Sequence, residues 1–82
     1  MRYRLEIKDA ARRQLRALSK EQRQRVGQKL DAVQQDLAGD VKKLWARTNE
    51  YRLRIGSLRV LFVMEGDLIS VYRVRDRKDV YE

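Results

Sequence analysis

The chain has 82 residues, enough for one small domain, and 20 lysines and arginines against 12 acidic residues give a formal net charge of +8. It contains no cysteine and no histidine, which excludes disulfides, thiolate metal sites and histidine as a general base. A domain this basic favours nucleic acid as a partner over one acidic protein. No apolar run is long enough to span a bilayer and no signal peptide is present, so we expect a soluble cytoplasmic protein without membrane, metal or cofactor.

The N-terminal part predicts a strand and the start of a helix hairpin. Residues 2–7 alternate between polar and apolar side chains, which is typical of a half-buried strand. Asp9 is a candidate N-cap for a first helix over 10–18. Ser19 and Gln22 have the spacing of a capping box, which predicts that a second helix follows directly.

The second helix is predicted over 20–38. Its apolar residues are spaced four, three and four positions apart, so they fall on one helix face: Val26, Leu30, Val33 and Leu37. Gly39 stands where a C-cap glycine is expected.

From residue 51 onward the apolar period changes to two, which predicts three strands over 51–55, 58–65 and 68–75. The strands are joined by two-residue hairpin loops that begin with glycine, Gly56-Ser57 and Gly66-Asp67. The element order predicts an α+β fold in a single domain over 1–82. The expected fold is a two-layer sandwich with an N-terminal strand, a helix hairpin and a three-stranded antiparallel meander.

Two-residue loops fix strand register, so the cross-strand neighbours can be assigned. Arg54 is expected opposite Arg59, and Leu61 between Arg52 and Tyr72. One face of the sheet is then a core face, with Tyr51, Leu53, Ile55, Val60, Phe62, Met64, Ile69 and Val71. The opposite, open face carries Arg52, Arg54, Arg59, Leu61, Val63 and Tyr72.

The arginines of the open face are the main functional signal. Like charges directly opposite each other cost tenths of a kcal/mol to about 1 kcal/mol. No acidic residue is expected in the middle of this patch, and Glu65 lies at its far edge. Arginine presents a rigid fork of donors that matches phosphate oxygens, which favours phosphate binding. The alternative is that these arginines only solvate the open face.

Other basic residues are candidates for nonspecific contacts with the phosphates of a nucleic acid. They are Arg12, Arg13, Arg16, Lys42, Lys43, Arg75 and Lys78. For the helix residues the alternative is a solvated surface, and for the C-terminal run it is a frayed tail.

These features resemble the RelE/ParE toxin superfamily, specifically its RelE-like mRNA-cleaving branch. The resemblance covers nearly the whole chain and depends on the order of the elements and of three segments. These are Tyr51-Arg52-Leu53-Arg54-Ile55, Leu58-Arg59-Val60-Leu61-Phe62 and Val74-Arg75-Asp76-Arg77-Lys78-Asp79-Val80-Tyr81. The resemblance implies an endoribonuclease that cleaves mRNA in the ribosomal A site, where a ribose 2′-OH attacks the neighbouring phosphate.

Carried over by position, the resemblance implies the catalytic residues Arg52, Arg54, Arg59, Arg77 and Tyr81. Arg59 and Arg77 would bind the scissile phosphate, and Tyr81 would stack on a base or transfer a proton. The family often has lysines where Arg52 and Arg54 stand. Because an arginine stays charged, we expect electrostatic clamping from these two positions.

The sequence leaves open which C-terminal arginine is catalytic and which function the fold serves. Arg75 stands where the family often has glycine, so either Arg75 or Arg77 is the catalytic C-terminal arginine. A ParE-like inhibitor of DNA gyrase would have the same fold, and a noncatalytic RNA-binding module would have the same charge. The resemblance also implies a RelB-like antitoxin, encoded next to the toxin, as a partner beside the ribosome and mRNA.

Overall fold

The described residues form two helices and five strands. In this computed structural model the described residues are 2–37, 39, 41–44 and 49–76. The elements are β1 (Arg4–Ile7), α1 (Asp9–Arg16), α2 (Lys20–Asp36), β2 (Val41–Lys43), β3 (Glu50–Ile55), β4 (Leu58–Glu65) and β5 (Leu68–Asp76). The predictions for Arg77, Lys78 and Tyr81 lie outside the described residues.

The start of the helix hairpin confirms one capping prediction and corrects another. The capping box is present: the Gln22 amide N–H donates to Ser19 Oγ at 3.1 Å, and the Ser19 N–H donates to Gln22 Oε1 at 3.3 Å. The prediction of Asp9 as N-cap of α1 is wrong, because Lys8 occupies that position and makes no side-chain cap bond. Asp9 lies in the first turn instead, where its negative charge favours the positive end of the helix dipole.

The end of α2 differs from the prediction. The C-cap is Leu37, in the left-handed conformation with φ 51°, and not Gly39. A left-handed leucine costs about 1–2 kcal/mol. Leu37 also packs against the hydrophobic core, and this burial offsets the cost of ending the helix there.

Within the described residues the sheet has the strand order β1-β5-β4-β3-β2. β1 is parallel to β5, and the other neighbours are antiparallel, so the predicted meander of β3, β4 and β5 is confirmed. β2 was not predicted, because a strand of three residues is too short to show an alternating pattern. Both loop glycines have the positive φ of the predicted hairpins, 57° at Gly56 and 59° at Gly66.

The register between β3 and β4 is as predicted, but β5 contains a bulge. Leu61 pairs with Arg73 and Phe62 pairs with Val71, so Tyr72 is an extra residue and the predicted pairing of Leu61 with Tyr72 is wrong. The bulge has a physical reason. Val71 and Val74 are both buried, and residues three apart cannot reach the same face of a regular strand.

The core lies between the sheet and the helix hairpin. Three of the four residues predicted for the apolar stripe of α2 are buried, Val26, Leu30 and Val33, and Leu37 is partly buried. The fully buried sheet side chains are Leu53, Val60, Phe62, Ile69 and Val71, with Tyr51 and Met64 packed at the margin. The rings of Tyr51 and Phe62 stack at a centroid distance of 5.5 Å. Neither described helix has the length and apolar character needed to cross a membrane.

Candidate functional site

Three arginines form a row across the open face of the sheet. Arg54 on β3 pairs with Arg59 on β4, and Arg59 pairs with Arg75 on β5. Neighbouring strands are about 4.8 Å apart, so the three side chains leave the sheet side by side. We call Arg54, Arg59 and Arg75 the arginine row. The bulge creates it, because without the extra residue Arg75 would face the helices.

A second basic row lies next to the arginine row, two residues along each strand. Lys42 pairs with Arg52, Arg52 with Leu61, and Leu61 with Arg73. The two rows together place six cationic side chains on one face. This density of like charge opposes folding and favours binding of a polyanion.

Arg59 lies at the centre of the arginine row and is half-buried. In the described part of the chain it makes neither a hydrogen bond nor an ion pair. Arg52 is also half-buried, and its Nε–H is covered without an acceptor among the described residues. A buried donor without an acceptor costs about 1–3 kcal/mol. Arg59 therefore has donors that an anionic ligand could engage, whereas the Arg52 Nε–H is covered by the protein.

The other end of the open face carries carboxylates. A third row runs from Glu50 on β3 through Val63 and Ser70 to Glu6 on β1. Hydrogen bonds from Lys8 and Ser70, together with the charge of Lys8, lower the pKa of the Glu6 carboxyl. The face is thus positive at the end of β5 and negative near the start of β3.

Tyr72 connects the basic and acidic parts of the face. Its hydroxyl donates to Glu50 Oε1 at 2.8 Å. The two residues belong to strands that are separated by β4, about 9.6 Å from axis to axis, so the Tyr72 side chain lies across β4. The bulge at Tyr72 therefore adds an aromatic side chain to the centre of the open face.

The predicted docking residues fall on different surfaces. Lys42 joins the open face, whereas Lys43 pairs with Tyr51 and belongs to the core side of the sheet edge. Arg12, Arg13 and Arg16 are exposed on α1, which covers the opposite face of the sheet. The structure does not bring these helix arginines together with the arginine row.

A cavity of about 520 Å³ lies between the turn of the helix hairpin and the end of β5. Its lining includes Gln14, Gln22, Val74 and Arg75. Beside it, the Val74 N–H donates to Gln14 Oε1 at 2.6 Å. β1 pairs with β5 only as far as Val71, so this side chain takes the place of a strand neighbour. Gln14 thereby fixes the part of β5 that carries Arg75.

Sequence reasoning missed several residues of the face. Arg73 and the position of Arg75 depend on the bulge, and the spacing of Val71 and Val74 was the signal for it. Glu50 was missed because the predicted strand began one residue later.

The fold and its cationic face define a small basic domain of the α+β class. Residues 5–81 match the family described as the ParE toxin of type II toxin–antitoxin systems. The chain belongs to this family, and so to the RelE/ParE superfamily of type II toxins that the sequence resembles.

Similar toxins and solved structures support this family assignment. Toxin RelE3 of Methanocaldococcus jannaschii is 40% identical over 47 residues, which are 57% of this chain and 53% of that toxin. The match therefore spans about half the length of this curated relative. A chain of the RelB–RelE antitoxin–toxin complex from Methanococcus jannaschii has a TM-score of 0.81 at 26% identity, over 93% of this chain and 94% of that one. A chain of the RelBE2 toxin–antitoxin complex from Mycobacterium tuberculosis shows the same fold, with a TM-score of 0.82 at 20% identity over 94% and 100%.

Proposed function

We propose that this toxin is a ribosome-dependent endoribonuclease that cleaves mRNA in the ribosomal A site and so inhibits translation. The observation that carries the proposal is the arginine row, in which Arg59 stands between Arg54 and Arg75. Arginine is suited to binding phosphate because its fork of donors can engage two oxygens at once. A row of such groups can stabilise the charge that develops on a phosphate under attack.

The mechanism assigns different tasks to the basic residues. Arg59 binds the scissile phosphate, and Arg52 and Arg54 neutralise developing charge and the flanking backbone. Arg75 extends the same row on β5. Arg77 and Tyr81 stay candidates for phosphate binding and for base stacking or proton transfer. Arginines keep their charge at any working pH, so their contribution is electrostatic.

The other basic surfaces fit docking to the ribosome. Exposed cations on α1 lie on the layer away from the arginine row, so they could contact ribosomal RNA while the open face engages mRNA. This group is Arg12, Arg13 and Arg16, and the other candidates from the sequence are Lys42, Lys43, Arg75 and Lys78. A protein held by such contacts would bind ribosomes less tightly as salt rises.

We further propose a RelB-like antitoxin as partner. Two solved relatives with this fold come from complexes with an antitoxin, in Methanococcus jannaschii and Mycobacterium tuberculosis. An acidic segment of an antitoxin would neutralise the charge of the open face, which is the feature that an inhibitor must cover.

Inhibition of DNA gyrase is the second candidate function. It is favoured by the family match, whose description is that of the ParE toxin. The arginine row argues for the nuclease, because poisoning a protein does not require a phosphate clamp.

Primer extension on a translated message separates the two functions. The protein is added to a purified translation system, and the mRNA ends are mapped with and without active ribosomes. Ribosome-dependent cuts at codon positions are the expected result. Intact mRNA, together with cleaved plasmid in a parallel gyrase reaction, would overturn the nuclease proposal.

A further inference from the structure

The proposed reaction requires a group that accepts the proton of the attacking 2′-OH. The chain has no histidine or cysteine, and arginine is not deprotonated in proteins. A carboxylate beside the arginines would meet this requirement, since general bases are often Asp or Glu.

Glu50 is placed for this role. It lies on β3 two residues before Arg52, on the same face of the sheet, so their Cα atoms are about 6.6 Å apart. It is half-buried at the boundary between the basic rows and the acidic end of the face. Glu50 pairs with Val63, four residues from Arg59 on β4, so a phosphate held between Arg52 and Arg59 would have this carboxylate on its Arg52 side.

Two other described carboxylates share the open face but lie farther from the arginines. Glu6 is on the outer strand β1, where Lys8 Nζ contacts Glu6 Oε1 at 3.0 Å and Ser70 Oγ donates to it at 3.2 Å. Glu65 pairs with Leu68, two residues farther along β4 than Val63. Glu50 is thus the described carboxylate of this face that neighbours Arg52.

Tyr72 holds the Glu50 carboxylate in a fixed orientation. The Tyr72 hydroxyl donates to Glu50 Oε1 at 2.8 Å. A base must be aligned with the proton that it removes before its basicity can act. Tyr72 is therefore a positioning residue, and the bulge that inserts it has a functional consequence.

The geometry points to Glu50 as the catalytic base of the proposed cleavage, with Tyr72 as its positioning residue; this inference rests on the proposed function. The 2′-OH gives its proton to the Glu50 carboxylate as the 2′-oxygen bonds to phosphorus. The bond from phosphorus to the 5′-oxygen breaks, and that oxygen takes a proton from solvent water. Glu50 returns its proton to water, so the step is balanced, with a 2′,3′-cyclic phosphate and a 5′-hydroxyl as products.

Single-turnover cleavage on ribosomes programmed with one defined mRNA tests this assignment. Glu50→Gln keeps an oxygen that can accept the Tyr72 hydroxyl but is not a base, and its rate should fall about 10²–10⁴-fold. Tyr72→Phe keeps the ring and the base, and its rate should fall on the order of tenfold. Glu6→Gln is the matched control on the same face, and its rate should equal that of the wild type.

The dependence of the rate on pH separates a base from a structural residue. Without a general base, hydroxide must remove the proton, so the residual Glu50→Gln rate should rise about tenfold per pH unit, more steeply than wild type. Glu50→Asp keeps a carboxylate and should recover part of the lost rate. Urea denaturation of each variant reports whether the fold is intact.

Each outcome decides the inference. If the wild type cleaves and folded Glu50→Gln stays within about threefold of it, Glu50 is not the base, whereas the proposed function stands. A slow Glu50→Gln with the pH dependence of the wild type, not improved in Glu50→Asp, also overturns the assignment. If the wild type itself leaves the translated mRNA intact, the proposed function fails and this inference fails with it.

Discussion

The two faces of β4 differ in burial and in charge. Val60 and Phe62 point to the helices and are fully buried, so their contacts stabilise the fold. Arg59 and Leu61 are their neighbours in sequence but point to the open face. There Arg59 stands between two other arginines, an arrangement that folding alone disfavours. One strand thus contributes to stability with one set of positions and, in the proposed function, to binding with the other.

The largest effect should come from the core face. Phe62→Ala should lower the free energy of unfolding by about 3–5 kcal/mol, because it removes a fully buried ring that stacks on Tyr51. Urea denaturation measures the loss. The matched control is Leu61→Ala on the open face, which should cost less than about 2 kcal/mol because Leu61 is half-exposed. Equal losses would contradict the difference between the two faces.

An intermediate effect is expected at the seam between helix and sheet. Gln14→Ala should cost about 1–3 kcal/mol, because the Val74 N–H loses its acceptor. Exposed Gln24 on α2 offers a control, and Gln24→Ala should change stability by less than about 0.5 kcal/mol. Hydrogen exchange at Val74 should accelerate in the Gln14 variant. Unchanged exchange would mean that Gln14 does not fix the end of β5.

The smallest effect on stability should come from the arginine row. Arg59→Gln removes one of three adjacent charges, so the free energy of unfolding should stay the same or rise by up to about 1 kcal/mol. Thermal unfolding at low and high salt measures it, and any gain should shrink as salt screens the repulsion. A clear loss of stability would show that Arg59 serves the fold.

Much of this arrangement could be predicted from the sequence, because short loops and alternation are local signals. The loop at Gly56 connects β3 to β4 and so fixes the pairing of Arg54 with Arg59. The rest depends on contacts between distant residues. The bulge at Tyr72 arises because the packing of Val71 and Val74 overrides the alternation. Its consequences, Arg75 in the arginine row and Tyr72 on Glu50, therefore depend on core packing as well as on the pattern within β5.

The helix layer offers a control that separates the position of an arginine from its charge. Arg13 is an exposed cation on α1, on the side of the sheet away from Arg59. Other cations of this layer have nearby partners: Arg12 Nε donates to the Ile7 carbonyl and Arg23 Nη1 to the Arg16 carbonyl, both at 3.1 Å. Removing one charge from either surface changes the net charge equally.

The most direct test of the central claim compares Arg59→Ala with Arg13→Ala in ribosome-dependent cleavage of a defined mRNA. Both variants should fold and lose the same charge. Loss of Arg59 should lower the cleavage rate about 10²–10³-fold, because it removes a donor to the scissile phosphate. Loss of Arg13 should change only ribosome affinity, by a few-fold at most in a salt-dependent way. Equal rates for the two folded variants would contradict the claim that the arginine row is the catalytic face.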